Sequence, residues 1–142
     1  MFNYSNKTKL IAFGILTILI VFIIWLVNYE DSRSQDILMI SQSKNLANGL
    51  EMYYSQFRSY PQSEATSLVN LVSLSENGFN VAGALNYWSL DQDWLREGIY
   101  QSDGQQYTIQ FHLNHGWQAL GLKAGGGLCQ LLTGVVWQCV SQ

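Results

Sequence analysis

The chain has 142 residues and a formal net charge of −3 at pH 7, and its mean hydropathy is +0.03. This length leaves room for one small domain once an apolar N-terminal segment is set aside. Apart from Lys7 and Lys9, every charge lies beyond residue 28, where five basic residues accompany ten acidic ones. An acidic balance of this kind disfavours a nucleic-acid partner, which requires basic surface.

Residues 10–27 form a run of eighteen residues without a charge, in which Thr17 is the only clearly polar side chain. As a helix this run spans about 27 Å, close to the hydrocarbon thickness of a bilayer. A cleaved signal peptide has a shorter apolar region that ends at small residues, which are not found here. We therefore expect a retained transmembrane helix, and its anchoring residues include Leu10, Ile15, Ile18, Val21 and Trp25.

The charges flanking this run predict its orientation. Lys7 and Lys9 precede it, and Glu30 and Asp31 follow it. Because basic residues favour the cytoplasmic side of a membrane helix, residues 1–9 are expected in the cytoplasm. Residues 28–142 are then outside, which makes the chain a single-pass protein of the cell membrane.

The helix is expected to continue through residues 28–60, since neither Pro nor Gly interrupts residues 15–48. At a rise of about 1.5 Å per residue the whole helix would extend for about 75 Å. Apolar and small residues recur at steps of three and four along its second half, which predicts a face that packs on a sheet. That face comprises Ile40, Ser43, Ala47, Leu50, Tyr54 and Phe57, widened by Ile37, Leu46 and Tyr53.

The opposite side of this half is predicted to be polar and to carry Gln42, Asn45, Asn48, Glu51 and Arg58. Ser43, Ala47 and Gly49 are small enough to allow another element to approach closely. The helix is expected to end at residues 59–61, because the residue before a proline avoids the α conformation. A generic amphipathic stalk or coiled-coil helix is the alternative explanation of the same face.

Residues 61–142 are predicted to form a globular head. Ser63 resembles an N-cap for a helix over residues 64–74 that stops at Gly78, and residues 80–97 are interpreted as loop with short helical turns. Period-two patterns and turn residues then predict an antiparallel sheet. Its strands are expected at residues 98–101, 105–113, 117–123, 128–132 and 135–140, with turns at 102–104, 114–116 and 133–134 and a flexible connector at 124–127.

The chain contains two cysteines, Cys129 and Cys139, both on the predicted outer side. They lie at matching distances from the turn around Thr133 and Gly134, so a bridge across the last hairpin is possible. An oxidising compartment favours this disulfide, which would stabilise the head by about 2–3 kcal/mol. Two buried free thiols are the alternative.

Catalytic and metal-binding patterns are weak. His112 and His115 lack companion ligands at suitable spacing and are interpreted as ordinary surface histidines. The glycines at 125–127 are not followed by the Lys-Ser/Thr of a phosphate-binding loop, and no nucleophile elbow is present. We expect no enzymatic activity, no metal and no cofactor.

Residues 50–61, Leu-Glu-Met-Tyr-Tyr-Ser-Gln-Phe-Arg-Ser-Tyr-Pro, resemble the end of the long N-terminal helix in type IV pilins and type II secretion pseudopilins. The polar helix over 41–49 and the apolar run over 10–27 also lie where that family has such segments. The resemblance implies a pilin-like α+β fold, in which the outer half of the helix packs against a four-stranded antiparallel β-meander. It also implies a non-catalytic subunit of a filament or of an envelope-spanning machine.

One feature of the family is missing. Family precursors are cut after a glycine, just before a segment with Glu at its fifth position. Cutting after Gly14 would place Leu19 at that position and would leave only residues 15–27, about 20 Å, to span the membrane. We therefore expect an unprocessed N-terminus.

Two principal functions follow from these patterns. The first is a structural pilin-like or pseudopilin-like subunit whose partners are membrane lipid, itself or other pilin-like subunits, and pilus or secretion platform proteins, with the cell-surface filament as one location. The alternative is a monomeric, single-pass extracytoplasmic binding or adaptor protein on the same scaffold. A membrane-anchored hydrolase is a third and weaker interpretation. A pocket lined by Arg or Glu would favour a binder or an enzyme.

Overall fold

The computed structural model describes residues 6–90, 98–122 and 125–141. Helix α1 covers Asn6–Phe57 and precedes all the strands. In chain order the strands are β1 (Ser63–Ser67), β2 (Ser73–Ser75), β3 (Gly78–Phe79), β4 (Asn86–Ser89), β5 (Gly98–Ser102), β6 (Tyr107–Leu113), β7 (Gly127–Leu132) and β8 (Val136–Ser141). Short 3₁₀ helices occupy Leu68–Asn70 and Gln118–Leu120.

The chain divides into two compact units, Met1–Ser34 and Gln35–Gln142. The second unit, called the head below, contains helix residues 35–57 together with the strands. Buried residues of the helix and of the sheet belong to one hydrophobic cluster. The predicted α+β class, with a long N-terminal helix packed against an antiparallel sheet, is therefore confirmed.

The larger sheet has five antiparallel strands in the order β1-β5-β6-β7-β8. Strands β5 to β8 form the predicted meander, and β1 adds a fifth strand at its edge by pairing Thr66 with Tyr100 and Ser67 with Ile99. The helix predicted over residues 64–74 is therefore wrong. Its first part is a strand because pairing with β5 satisfies backbone groups that a short polar helix would leave partly to water.

Strand β6 confirms the alternation expected from its sequence. Tyr107, Ile109, Phe111 and Leu113 are buried, whereas the side chains between them are half-buried or exposed. The buried residues of β5 and β7, including Tyr100 and Leu131, extend the same face. This face meets the core residues of the helix, which include Met39, Leu46 and Leu50.

The strand predicted over residues 117–123 is wrong in the part that the structure describes. Residues Gln118–Leu120 form a 3₁₀ helix, which ends at Gly121 in the left-handed conformation. The edge of β6 is occupied instead by β7, which pairs Leu113 with Gly127. Residues 114–116 are consequently not a hairpin turn, and Gly127 is the first residue of β7 rather than part of a connector.

The backbone that leads into β7 requires glycine at position 126. A Cβ atom at Gly126 would lie 2.1 Å from the carbonyl oxygen of Leu113, and the backbone φ there is +76°. Both the contact and the conformation exclude a side chain. Residues 123 and 124, which the prediction placed in a strand and in the connector, lie outside the described residues.

The helix ends at Phe57, close to the predicted position. Arg58 adopts a left-handed conformation with φ of 56°, and its N–H donates to the carbonyl of Tyr54 at 2.8 Å. This arrangement satisfies a terminal helix carbonyl. Pro61 follows three residues later and accepts a hydrogen bond from Tyr100 Oη at 2.7 Å on its carbonyl.

A second sheet, with strand order β3-β2-β4, packs on the helix at Gly49. Residues 80–90 were expected to be loop with helical turns, but they include strand β4; residues 91–97 lie outside the described part. A Cβ atom at Gly49 would lie 2.7 Å from Trp88 Cβ and 3.0 Å from the Tyr87 carbonyl oxygen. The close approach that the small residue predicted is thus made by β4.

We predict that Gly49→Ala lowers the thermal stability of the head. Overpacking against Trp88 Cβ and the Tyr87 carbonyl oxygen costs about 1–3 kcal/mol, and better helix propensity offsets at most about 1 kcal/mol of this cost. Near-UV circular dichroism of the full chain in lipid nanodiscs measures the midpoint temperature of unfolding of the head. Gly14→Ala is the matched control, because nothing lies within 4 Å of a Cβ there. Equal effects of the two substitutions would contradict the packing.

Candidate functional site

Residues 11–27 of the helix, in the first unit, present an exposed apolar surface. The helix segment Ile11–Phe57 is long and apolar enough to cross a membrane. Its most apolar stretch of 18 residues contains no buried residue. Ile15, Ile18, Val21 and Trp25 are all more than half exposed. Leu10 lies in the helix, but its side chain is outside the described part.

Polar groups of this segment are satisfied within the helix. The Thr17 hydroxyl donates to the carbonyl of Phe13 at 2.9 Å, so the one clearly polar side chain of the run has its hydrogen bond locally.

Three aromatic rings lie near the end of the apolar run. The rings of Phe22, Trp25 and Tyr29 stack in sequence, with centroids 6.2 and 5.9 Å apart. Tyrosine and tryptophan at the end of an apolar run suit the interface between lipid and water.

The second half of the helix is largely enclosed by the head. Of the residues predicted to pack on the sheet, Ser43, Ala47 and Leu50 are fully buried, and Ile40 and Tyr54 are partly buried against the core. Phe57 remains 38% exposed, and its ring contacts Tyr53 and the Tyr87 ring of β4 in the smaller sheet. Met39 and Leu46 are buried as well, whereas Ile37 is 48% exposed.

A buried carboxylate fixes the start of this enclosed half. Asp36 has no exposed surface, and its two oxygens accept hydrogen bonds from the backbone N–H groups of Asn114 and His115 at 3.1 and 3.0 Å. The Nδ1 atom of His115 lies 2.9 Å from the second oxygen. An unpaired buried carboxylate would be costly, so these donors account for its position in the core.

Glu51 makes a second cluster of the same kind. Its oxygens accept hydrogen bonds from Tyr60 Oη and Tyr107 Oη, each at 3.1 Å, and from the Gly134 N–H at 2.9 Å. The sequence placed Glu51 on a polar, outward side of the helix, and that prediction is wrong. The residue is partly buried because donors from the helix end, from β6 and from the last turn meet there.

The two tyrosines that bind Glu51 stay protonated, and so remain hydrogen-bond donors, across the physiological range of pH. Burial, followed by the negative charge of Glu51, raises the pKa of Tyr60 and of Tyr107 well above the usual value for a phenol. Their rings also contact each other edge to face, with centroids 4.9 Å apart. The cluster therefore combines ring packing with two neutral O–H donors.

Sequence reasoning missed Asp36 although a signal was present. Asp36 lies four residues before Ile40, so it continues the steps of three and four that define the buried face. A charge at a position that should be buried indicates a partner elsewhere in the chain. That partner, the turn at residues 114–115, was instead interpreted as part of a hairpin.

The disulfide between Cys129 and Cys139 is confirmed. The two residues are direct partners in the register of β7 and β8, and their Cα atoms are 4.1 Å apart. The turn that precedes β8 is the one whose Gly134 N–H binds Glu51. The bridge therefore links the two strands of the last hairpin, three residue pairs away from the pair that flanks this turn.

The histidines differ from each other. His112 is exposed on β6, whereas His115 is partly buried and bonded to Asp36, so it is not an ordinary surface histidine. Among residues 6–90, 98–122 and 125–141, no group of three or more His, Cys, Asp or Glu side chains is arranged to hold a metal. The arrangement of Asp36 and Glu51 is suited to holding the sheet on the helix.

Comparison of the chain with protein-family models, with curated proteins and with solved structures found no match.

We predict that Glu51→Gln and Asp36→Asn each destabilise the head by about 1–3 kcal/mol. An amide cannot accept hydrogen bonds on both of its terminal atoms, so one donor at each site would be left facing an NH₂ group. Chemical denaturation of the full chain in nanodiscs measures the loss. The matched controls are the exposed residues Glu64 and Asp31 in the variants Glu64→Gln and Asp31→Asn. Wild-type stability in both core variants would show that the carboxylates do not hold the sheet.

Proposed function

We propose that the chain is a non-catalytic, pilin-like structural subunit that is held in the cell membrane by helix α1. It would assemble through the apolar segment of that helix into or onto a type IV pilus or a type II secretion-type machine. The observation that carries the proposal is the contrast within the helix. Its second half is covered by the head, while the residues from Ile11 to Val27 remain exposed.

Lipid is the first partner that this contrast supports. Isolated apolar side chains are common on protein surfaces, but a continuous apolar helix surface indicates a membrane or a partner. With Lys7 and Lys9 before the span and Glu30 and Asp31 after it, the N-terminus would be cytoplasmic and the head extracytoplasmic. The disulfide between Cys129 and Cys139 agrees with an oxidising compartment for the head.

Other pilin-like subunits are the second partner, with platform proteins as a further one. The sequence resemblance over residues 50–61 supports this class of assembly, and so does the layout of a long helix with an antiparallel sheet on its outer half. A pocket of the head lined by Arg or Glu would instead favour a binding protein or an enzyme. The residues that line the two described pockets of the head include neither.

The proposal predicts helix-to-helix contacts within the membrane. Single cysteines placed one at a time along residues 16–34 of the full chain should form disulfide cross-links in intact membranes, either to the same chain or to a pilin-like partner. Because one face of a helix recurs every three to four residues, cross-linking should show that period. The native cysteines are already paired with each other.

Two controls make the result specific. Glu64→Cys, on the exposed surface of β1, should give no cross-link. Ile18→Lys should prevent insertion, at a cost of about 2.5–3.5 kcal/mol on translocon scales, and should remove the cross-links. Absence of cross-links at every position, both to itself and to partners, would contradict assembly and would favour a monomeric membrane-anchored binding protein.

A further inference from the structure

A pocket of about 470 Å³ opens on the head beside the end of the helix, next to β1 and the smaller sheet. Its size falls in the range of small-molecule sites. All ten of its lining residues are uncharged, and they combine aromatic rings with amides and hydroxyls. The residues that bear on recognition are Tyr53, Gln62, Ser63, Thr66, Asn77 and Phe79.

The walls of the pocket are held in place by the fold. The side-chain oxygen of Asn80 accepts a hydrogen bond from the Val72 N–H at 2.8 Å, and its NH₂ group donates to the Asn70 carbonyl at 2.6 Å. The ring of Phe79 meets that of Tyr100 edge to face at 5.0 Å. A site whose walls are fixed before binding loses little entropy when a ligand enters.

The polar side chains retain hydrogen-bonding capacity. Gln62 and Asn77 use their NH₂ groups to donate to the carbonyls of Asp103 and Ala82, at 3.3 and 2.9 Å. Their amide oxygens can then accept from ligand hydroxyls. The hydroxyls of Ser63 and Thr66 are 2.6 Å apart. Such a pair shares one hydrogen, so the other hydroxyl hydrogen can be donated to a ligand.

We propose that this pocket binds a neutral saccharide. Aromatic faces carry partial negative charge and attract the C–H groups of a pyranose ring, while amides and hydroxyls pair with its O–H groups. A charged ligand would lose hydration without meeting an opposite charge. A purely apolar ligand would bury the amide and hydroxyl groups without partners.

This binding site does not depend on the assembly proposed above, since all of its residues belong to the head. A subunit that assembles and a monomeric anchored protein could each carry it. A failure of sugar binding would therefore leave the cross-linking prediction unchanged. A failure of cross-linking would likewise leave the prediction of sugar binding unchanged.

The test uses the full chain in phospholipid nanodiscs, because maltoside or glucoside detergents would compete for the pocket. The probes are the methyl glycosides of glucose, galactose, mannose and N-acetylglucosamine at millimolar concentration. Saturation-transfer NMR detects binding on the glycoside, and the backbone amide chemical shifts of the protein locate it. At least one glycoside should bind and should shift the amide signals of Asn77 and Phe79. Methyl glucuronide, which carries a charge, should bind more weakly than methyl glucoside.

Gln62→Ala should weaken binding about three- to tenfold, the value of one hydrogen bond. Gln62 is exposed, so the head should remain folded. Gln138→Ala, at an exposed glutamine on β8 outside the pocket, is the matched control and should leave affinity unchanged. The proposal is overturned if no glycoside binds, if Gln138→Ala weakens binding as much as Gln62→Ala, or if the glucuronide binds equally well.

Discussion

The head depends on two carboxylates that lie on the enclosed half of its helix. Asp36 and Glu51 are fifteen residues apart, or about 22 Å along the helix axis. The hydrophobic effect is non-directional, so an apolar face alone specifies the position of a helix on a sheet less sharply than directional hydrogen bonds do. A buried carboxylate is stable only where its donors are. Asp36 and the turn after β6 therefore fix one end of the packing, and Glu51 with Tyr60, Tyr107 and Gly134 fixes the other.

This arrangement divides the helix between two physical tasks. Residues 35–57 supply part of the core of the head, so the face centred on Ser43, Ala47 and Leu50 is not available to another molecule. The residues from Ile11 to Val27 are exposed. The functional proposal rests on this division, since lipid and neighbouring helices are the two environments in which an exposed apolar helix is stable.

Features with a strong local signal could be predicted from the sequence. The apolar run, the helical period of residues 40–57, the alternation in β6 and the cysteine pair are all present in the structure. The strand at Ser63–Ser67 could not be predicted, because its partner β5 lies more than thirty residues away and nothing local distinguishes it from a helix start. The roles of Asp36 and Glu51 were missed for the same reason, since donors from distant segments create them. The resemblance to pilins rests on the sequence of residues 10–27 and 41–61.

The central claim is that the second half of the helix is an integral part of the head. Hydrogen exchange of the full chain in lipid nanodiscs tests it most directly. If the claim is correct, amides of helix residues 43–51 and of strand β6 exchange equally slowly, and rising denaturant releases both together as one cooperative unit. Rapid exchange of residues 43–51 while β6 stays protected would contradict it, because the sheet would then be stable without the helix.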